Sequence, residues 1–133
     1  MSKLLTIMLA VVAAIAVPAH AARRGDADAE LRKLLAGRVA GEPVNCITLS
    51  AVTSSRIIDG RAIVYRVGGR LYVNEPRAGA SRLDEDDVLV TRSFGSQLCS
   101  VDSVHLVDRA SRFPRGFVLL GKFVPYSRPK RAN

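Results

Sequence analysis

From Cys46 onward the chain is a succession of short apolar runs cut by turn residues, and that punctuation limits it to antiparallel β structure. Runs at 46–49, 56–58, 61–67 and 70–74 are interrupted by Asp59-Gly60 and Gly68-Gly69. Glycine enters the positive-φ region without a Cβ penalty, so each pair marks a hairpin turn. The run 70–74, Arg-Leu-Tyr-Val-Asn, alternates with period two, and the last three runs read as a meander. Further β-like runs fall at 87–92, 97–100, 103–107 and 116–124, with a loop over 76–83 and an irregular stretch over 109–115 that contains Pro114. A chain of 133 residues with 48% apolar and 24% charged side chains has the balance of one small domain. Strands this short and this many predict a mainly β fold, a small antiparallel barrel or sandwich, because an open sheet would leave a long exposed edge.

One helix is expected. Acids at Asp26, Asp28 and Glu30 precede Arg32 and Lys33, and Gly37 follows, which matches the helix dipole and a glycine stop. Leu31, Leu34 and Leu35 give this short N-terminal helix an apolar stripe that would either dock on the strands or stay loose in solution. Ahead of it, Met1-Ser2-Lys3 is followed by a run from Leu4 to Val17 without a charge and then by Pro18-Ala19-His20-Ala21. A basic start, an apolar run and an Ala-x-Ala end are the parts of a secretory signal peptide. The run is shorter than the roughly 20 residues of a membrane-crossing helix, and Cys46 lies too far downstream to carry a lipid. The expected organisation is a signal peptide over 1–21 cleaved before Ala22, a leader with the short helix over 22–44, a β domain over 45–126 and a basic flexible tail over 127–133. The expected location is periplasmic or secreted.

Export changes the meaning of the cysteines. Cys46 and Cys99 are the only two, and an oxidising compartment permits them to pair. Such a bridge closes a loop of roughly 54 residues, worth roughly 4 kcal/mol of chain entropy less any strain. Zinc binding with His105 or a redox dithiol are the competing readings, but there is no C-x-x-C and His105 cannot complete four ligands.

Twenty Lys and Arg against twelve Asp and Glu give a net charge of +8, and loss of residues 1–21 removes only Lys3. Sixteen of the twenty are arginine, whose planar guanidinium makes paired contacts with carboxylate and phosphate. Arg61, Arg66 and Arg70, interleaved with Tyr65 and Tyr72 on the meander, are the candidate anion-binding residues. The alternative is that these arginines lay their stems on apolar neighbours and pair with acids of the same domain. Partners outside the cytoplasm would be an anionic polymer, a lipid head group or a protein of the cell envelope. Export argues against nucleic acid, although interleaved Arg and Tyr on a sheet is how single-strand platforms are built.

No catalytic, cofactor-binding or metal-ligating set is assigned. Asp84-Glu85-Asp86-Asp87 has Val88 where a calcium loop needs its fifth-position ligand and lacks the turning glycine, so it reads as a solvated acidic turn. His105 stands three residues from both Asp102 and Asp108, which on a strand puts the acids on the opposite face. No G-x-S-x-G occurs, and Gly68-Gly69 is too short to cradle phosphate.

The segments 46–49 (Cys-Ile-Thr-Leu), 56–59 (Arg-Ile-Ile-Asp), 98–102 (Leu-Cys-Ser-Val-Asp) and 120–125 (Leu-Gly-Lys-Phe-Val-Pro) resemble a family of small exported proteobacterial proteins of unknown function, DUF6491. The likeness covers residues 45–126 and implies a bacterial periplasmic protein, with no activity and no catalytic residues. Members often carry two further cysteines, near the positions of Ala80 and Val118 here. Their joint absence is what the resemblance implies if those two pair with each other, leaving Cys46 to Cys99. The reading from sequence is a disulfide-stapled, non-catalytic binding or scaffolding module for an anionic partner. The alternatives are a small hydrolase or lyase using Asp102, His105 or Asp108, and an oligonucleotide-binding type of barrel.

Overall fold

The computed structural model describes residues 14–16 and 18–131. Most of the expected signal peptide lies outside the described residues. Its end, Ala19 to Ala21, forms the start of a helix, α1 (Ala19–Leu34), which is longer than the acid and base pattern predicted. Gly37, at φ +73°, follows the helix in the left-handed region where a glycine stop is expected.

Ten strands follow in antiparallel ladders. β1 (Val39–Ala40) precedes β2 (Cys46–Thr48), and a 3₁₀ turn (Leu49–Ala51) leads to β3 (Val52–Ile58). The meander continues with β4 (Ala62–Val67) and β5 (Arg70–Asn74), and its two turns place Gly60 and Gly68 at φ +62° and +60°. Then come β6 (Asp87–Thr91), β7 (Gln97–Cys99), β8 (Ser103–Asp108), β9 (Pro114–Leu119) and β10 (Phe123–Ser127). They form a five-stranded sheet β1-β10-β5-β4-β3, a three-stranded sheet β6-β8-β9 and a ribbon β2-β7. Of the two expected closures, the sandwich forms and the barrel does not.

β4 explains the layering. Ala62 and Val64 point to one face of the large sheet and join Ile58, Leu71 and Val73 against Ala27 and Leu31 of α1. Ile63 and Tyr65 point to the other and pack with Ile57 and Phe123 against Val104, Leu106 and Val118 of the small sheet and Ile47 and Leu98 of the ribbon. A central strand covered on both faces is apolar without alternation. The three layers are therefore helix, large sheet, and small sheet with ribbon. The leader expected over 22–44 is thus docked, as its leucine stripe permits: Leu34 and Leu35 also pack against that cluster.

The apolar run 116–124 does not form one strand. Buried Asn74 donates from Nδ2 to the Gly121 carbonyl at 2.7 Å and accepts from the Gly121 N–H at 3.0 Å. A Cβ on Gly121 would lie 2.4 Å from the Glu75 carbonyl oxygen. That close approach turns the chain at residues 120–122 and separates β9 from β10. Pro114, expected in an irregular stretch, instead opens β9, where its missing N–H is tolerated at a strand's first position.

Tyr65 packs edge-on to Phe123, ring centroids 5.9 Å apart, and its hydroxyl is buried with no hydrogen-bond partner among the described residues. Burial pushes its pKa well up. The neutral hydroxyl therefore contributes stability that is fully present below the ordinary tyrosine pKa of about 10 and is lost as pH rises beyond it, at about 1.4 kcal/mol per pH unit. Tyr65→Phe should remove that part of the alkaline slope in denaturant unfolding, and at neutral pH should leave stability unchanged or raise it by up to about 1 kcal/mol. Equal alkaline slopes in the two proteins would contradict this.

Candidate anion-binding site

The meander's strands give the molecule two ends. Gly60 turns β3 into β4 at one, and Gly68-Gly69 turns β4 into β5 at the other. The three candidate arginines do not share a place. Arg61, beside the Gly60 turn, donates from Nε to Asp28 on α1 at 2.7 Å and meets Glu75 through Nη1 at 2.8 Å. The hydrogen bond to Asp28, opposed by burial and helped by Glu75, raises its pKa. Arg66 and Arg70 lie at the other end but on opposite faces. Arg66 is paired across the ladder with Leu71, on the helix side, and Arg70 with Val67, two residues from inward-facing Tyr65.

Register supplies what sequence spacing hid. Tyr126 on β10 stands beside both Leu71 on β5 and Ala40 on β1, which carries Arg38 and Arg128 to the Gly68-Gly69 end. Arg38 donates from Nη1 to the carbonyl oxygens of Gly69 at 2.8 Å and Tyr126 at 3.4 Å. Its pKa is lowered, first by burial and then by the charges of Arg128 and Arg66. Neighbouring like charges disfavour one another's charged form. No Asp or Glu pairs with Arg38, Arg66 or Arg128 among the described residues. The last turn of α1, which holds Arg32 and Lys33, leads within a few residues to Arg38 at this end.

The acids are committed elsewhere. Arg61 with Asp28 and Glu75, Arg56 with Glu30, and Arg115 with Asp84 and Asp87 make all the ion pairs among the described residues, each toward the Gly60 end. The acidic stretch 84–87 is only partly the solvated turn expected. Asp87 is buried, with Arg115 Nη1 2.9 Å from its Oδ1, so a guanidinium occupies the place a cation would take. A groove of about 410 Å³ between β3 and β6 is lined by Ser55, Arg56, Glu85, Asp87 and Arg109, charges of both signs.

Asp102, His105 and Asp108 are kept apart. Asp102 Oδ2 accepts from the Cys99 N–H at 2.7 Å. Asp108 Oδ1 accepts from the N–H and hydroxyl of Ser111 at 2.6 and 2.8 Å, and the backbone bond first, then the hydroxyl, lowers its pKa. His105 is exposed beside Phe117, ring centroids 5.8 Å apart. Tyr65 is buried and Tyr72 is half-buried against the inner core, so the two do not offer paired faces on which bases could stack. Cys46 and Cys99 are bridged and so supply no thiolate to a metal.

No helix among the described residues is long and apolar enough to cross a membrane. Compared with family models, curated proteins and solved structures, the chain matches none.

The two kinds of arginine should separate in stability. Arg61→Ser removes two partly exposed ion pairs that tie α1 and the end of β5 to the β3–β4 turn, and should lower the unfolding free energy by about 1 kcal/mol. Arg66→Ser removes no partner and should change it by less than about 0.5 kcal/mol. Equal losses in a denaturant titration would show that Arg66 has a structural role after all.

Proposed function

We propose that this chain is an exported periplasmic protein whose disulfide-stapled β domain binds an anionic partner through Arg38, Arg66 and Arg128, without catalysis. The observation that carries the reading is the gathering of these three like charges with no ion-pair partner among the described residues, while the five carboxylates that do form ion pairs there, Asp28, Glu30, Glu75, Asp84 and Asp87, do so with other arginines toward the Gly60 end. A cluster of that kind is unfavourable to the isolated fold, and an incoming anion relieves it. Arginine gives the cluster paired contacts to phosphate or carboxylate. The basic tail, with Lys130 and Arg131, leaves from the same end and adds to the local potential.

The signal-like segment and the bridge support an oxidising location, and the likeness of residues 45–126 to DUF6491 supports a periplasmic one. That likeness lends no activity. The separation of Asp102, His105 and Asp108 removes the convergence that a hydrolase or lyase would require.

Binding of inorganic polyphosphate, a soluble polyanion, tests the reading. Raising salt from about 0.1 M to 1 M shortens the Debye length from about 10 Å to 3 Å, so affinity should fall steadily across that range. A protein carrying Arg66→Ser and Arg128→Ser keeps the backbone bonds of Arg38 and should bind at least about tenfold more weakly at low salt, a difference of about 1.4 kcal/mol. Equal binding by variant and wild type would overturn the assignment.

A further inference from the structure

The sandwich is open along one side. Of its four outer strands, β1 is only two residues long. β9 is covered by the loop at Arg77 and Ala78, which bonds the carbonyl and the N–H of Leu119, each at 3.0 Å. β3 and β6 are left, each paired on one side only, with the groove of about 410 Å³ between them.

Both strands turn backbone groups toward that groove. Across the Gly60 turn the Arg61 N–H donates to the Ile58 carbonyl at 3.0 Å, so Ile58, Arg56 and Ser54 direct their backbone groups to β4, and Ile57 and Ser55 direct theirs away. The Arg109 N–H donates to the Asp86 carbonyl at 3.1 Å, so Val88 and Val90 face β8 and Leu89 faces away. No backbone partner meets Ser55, Ile57 or Leu89 on the outer side among the described residues.

β3 lacks the devices that close an edge. It is seven residues long, rich in β-branched side chains and free of proline, and Thr53 to Arg56 are exposed. Its one charge, Arg56, lies on the helix side, bonded to Glu30. A bulge at Thr53 disturbs only its start. A long uncharged edge of this kind is a template for another strand. Ile57 packs with Leu89 between the sheets, and Ser55 shares that face, so an added strand would set alternate side chains on an apolar floor.

Charge argues for a different polypeptide over a second copy, which would bring its own +8 to the edge. A polyanion finds Glu85 and Asp87 in the same groove as Arg56 and Arg109. We infer that β3 receives an extended segment of another protein as a sixth strand of the large sheet, with β-branched or small apolar side chains at alternate positions facing Ile57 and Leu89. Main-chain bonds then supply affinity, and the floor selects the side chains. None of the arginines assigned to the anion takes part.

Hydrogen exchange on the full disulfide-bonded chain tests this with a capped seven-residue peptide alternating threonine and valine. The peptide at about 1 mM should slow exchange of the Ser55 amide by about tenfold or more, and its fully N-methylated form, which cannot donate to the edge, should not. Ser55→Lys keeps the backbone bonds of β3 and points a charge at the groove, so it should weaken peptide binding by about tenfold or more. If that variant does not fold, the two peptides on the wild-type chain decide the matter. An unslowed Ser55 amide, equal slowing by the methylated peptide, or unchanged binding by a folded Ser55→Lys protein overturns the inference. Protection of Ser55 that grows with protein concentration in the absence of peptide gives the edge to a second copy and overturns it as well.

Discussion

The Cys46–Cys99 bridge holds the seam on which the remaining layers depend. β2 runs through a 3₁₀ turn into the edge of the large sheet, and β7 runs into β8, the centre of the small one. The two cysteines are directly opposed in the β2-β7 ribbon, with Cα atoms 4.0 Å apart, flanked by buried Ile47 and Leu98. A ribbon of three residues a side is too short to be stable by its own hydrogen bonds. The covalent link removes loop entropy from the unfolded chain, about 4 kcal/mol in the chain-entropy model, a sizeable share of what a domain this small retains. It also fixes the rung at Leu49 and Ser96, and through it the loop that carries Phe94.

Once the layers are set, charge sorts itself along the strands. α1 crosses the large sheet with Asp28 and Glu30 over Arg61 and Arg56, and the loop before β6 brings Asp84 and Asp87 to Arg115. Acids are thereby spent on arginines that stabilise the packing near the Gly60 turn. The surplus of positive charge is left at the far end, where Arg38 is itself fixed by the backbone of Gly69 and Tyr126. A rigid cationic group beside two others suits recognition of an anion better than mobile side chains do, because less side-chain entropy is lost on contact.

Local chemistry in the sequence was enough for the meander, its glycine turns, the bridge and the docking stripe of α1, because each depends on neighbouring residues or on a single pair. What escaped depends on tertiary approach. The break between β9 and β10 exists because Asn74 grips Gly121 from another strand, and within 116–124 the interior Gly121 is the only local mark of it. Arg61, Arg66 and Arg70 looked alike on alternating strands, but a helix thirty residues upstream claims Arg61 and the pleat sends Arg66 and Arg70 to opposite faces. Arg38 and Arg128 lie ninety positions apart in the chain and meet only through β1 and β10. The acidic stretch read as one solvated turn, yet Asp87 faces inward because it opens β6 on the core side, opposite Asp108.

The proposed anion site is the set of arginines without ion-pair partners at one end of the strands, rather than basicity in general. Titration of the isotope-labelled, disulfide-bonded protein with polyphosphate at low salt, followed by amide chemical shifts, locates the contact directly. The largest changes are expected at Val39, Gly68, Gly69, Leu71, Ser127 and Arg128, with little change at Gly60, Arg61, Glu85 or Arg115. Changes centred on the Gly60 end, or spread evenly over the surface arginines, would contradict it.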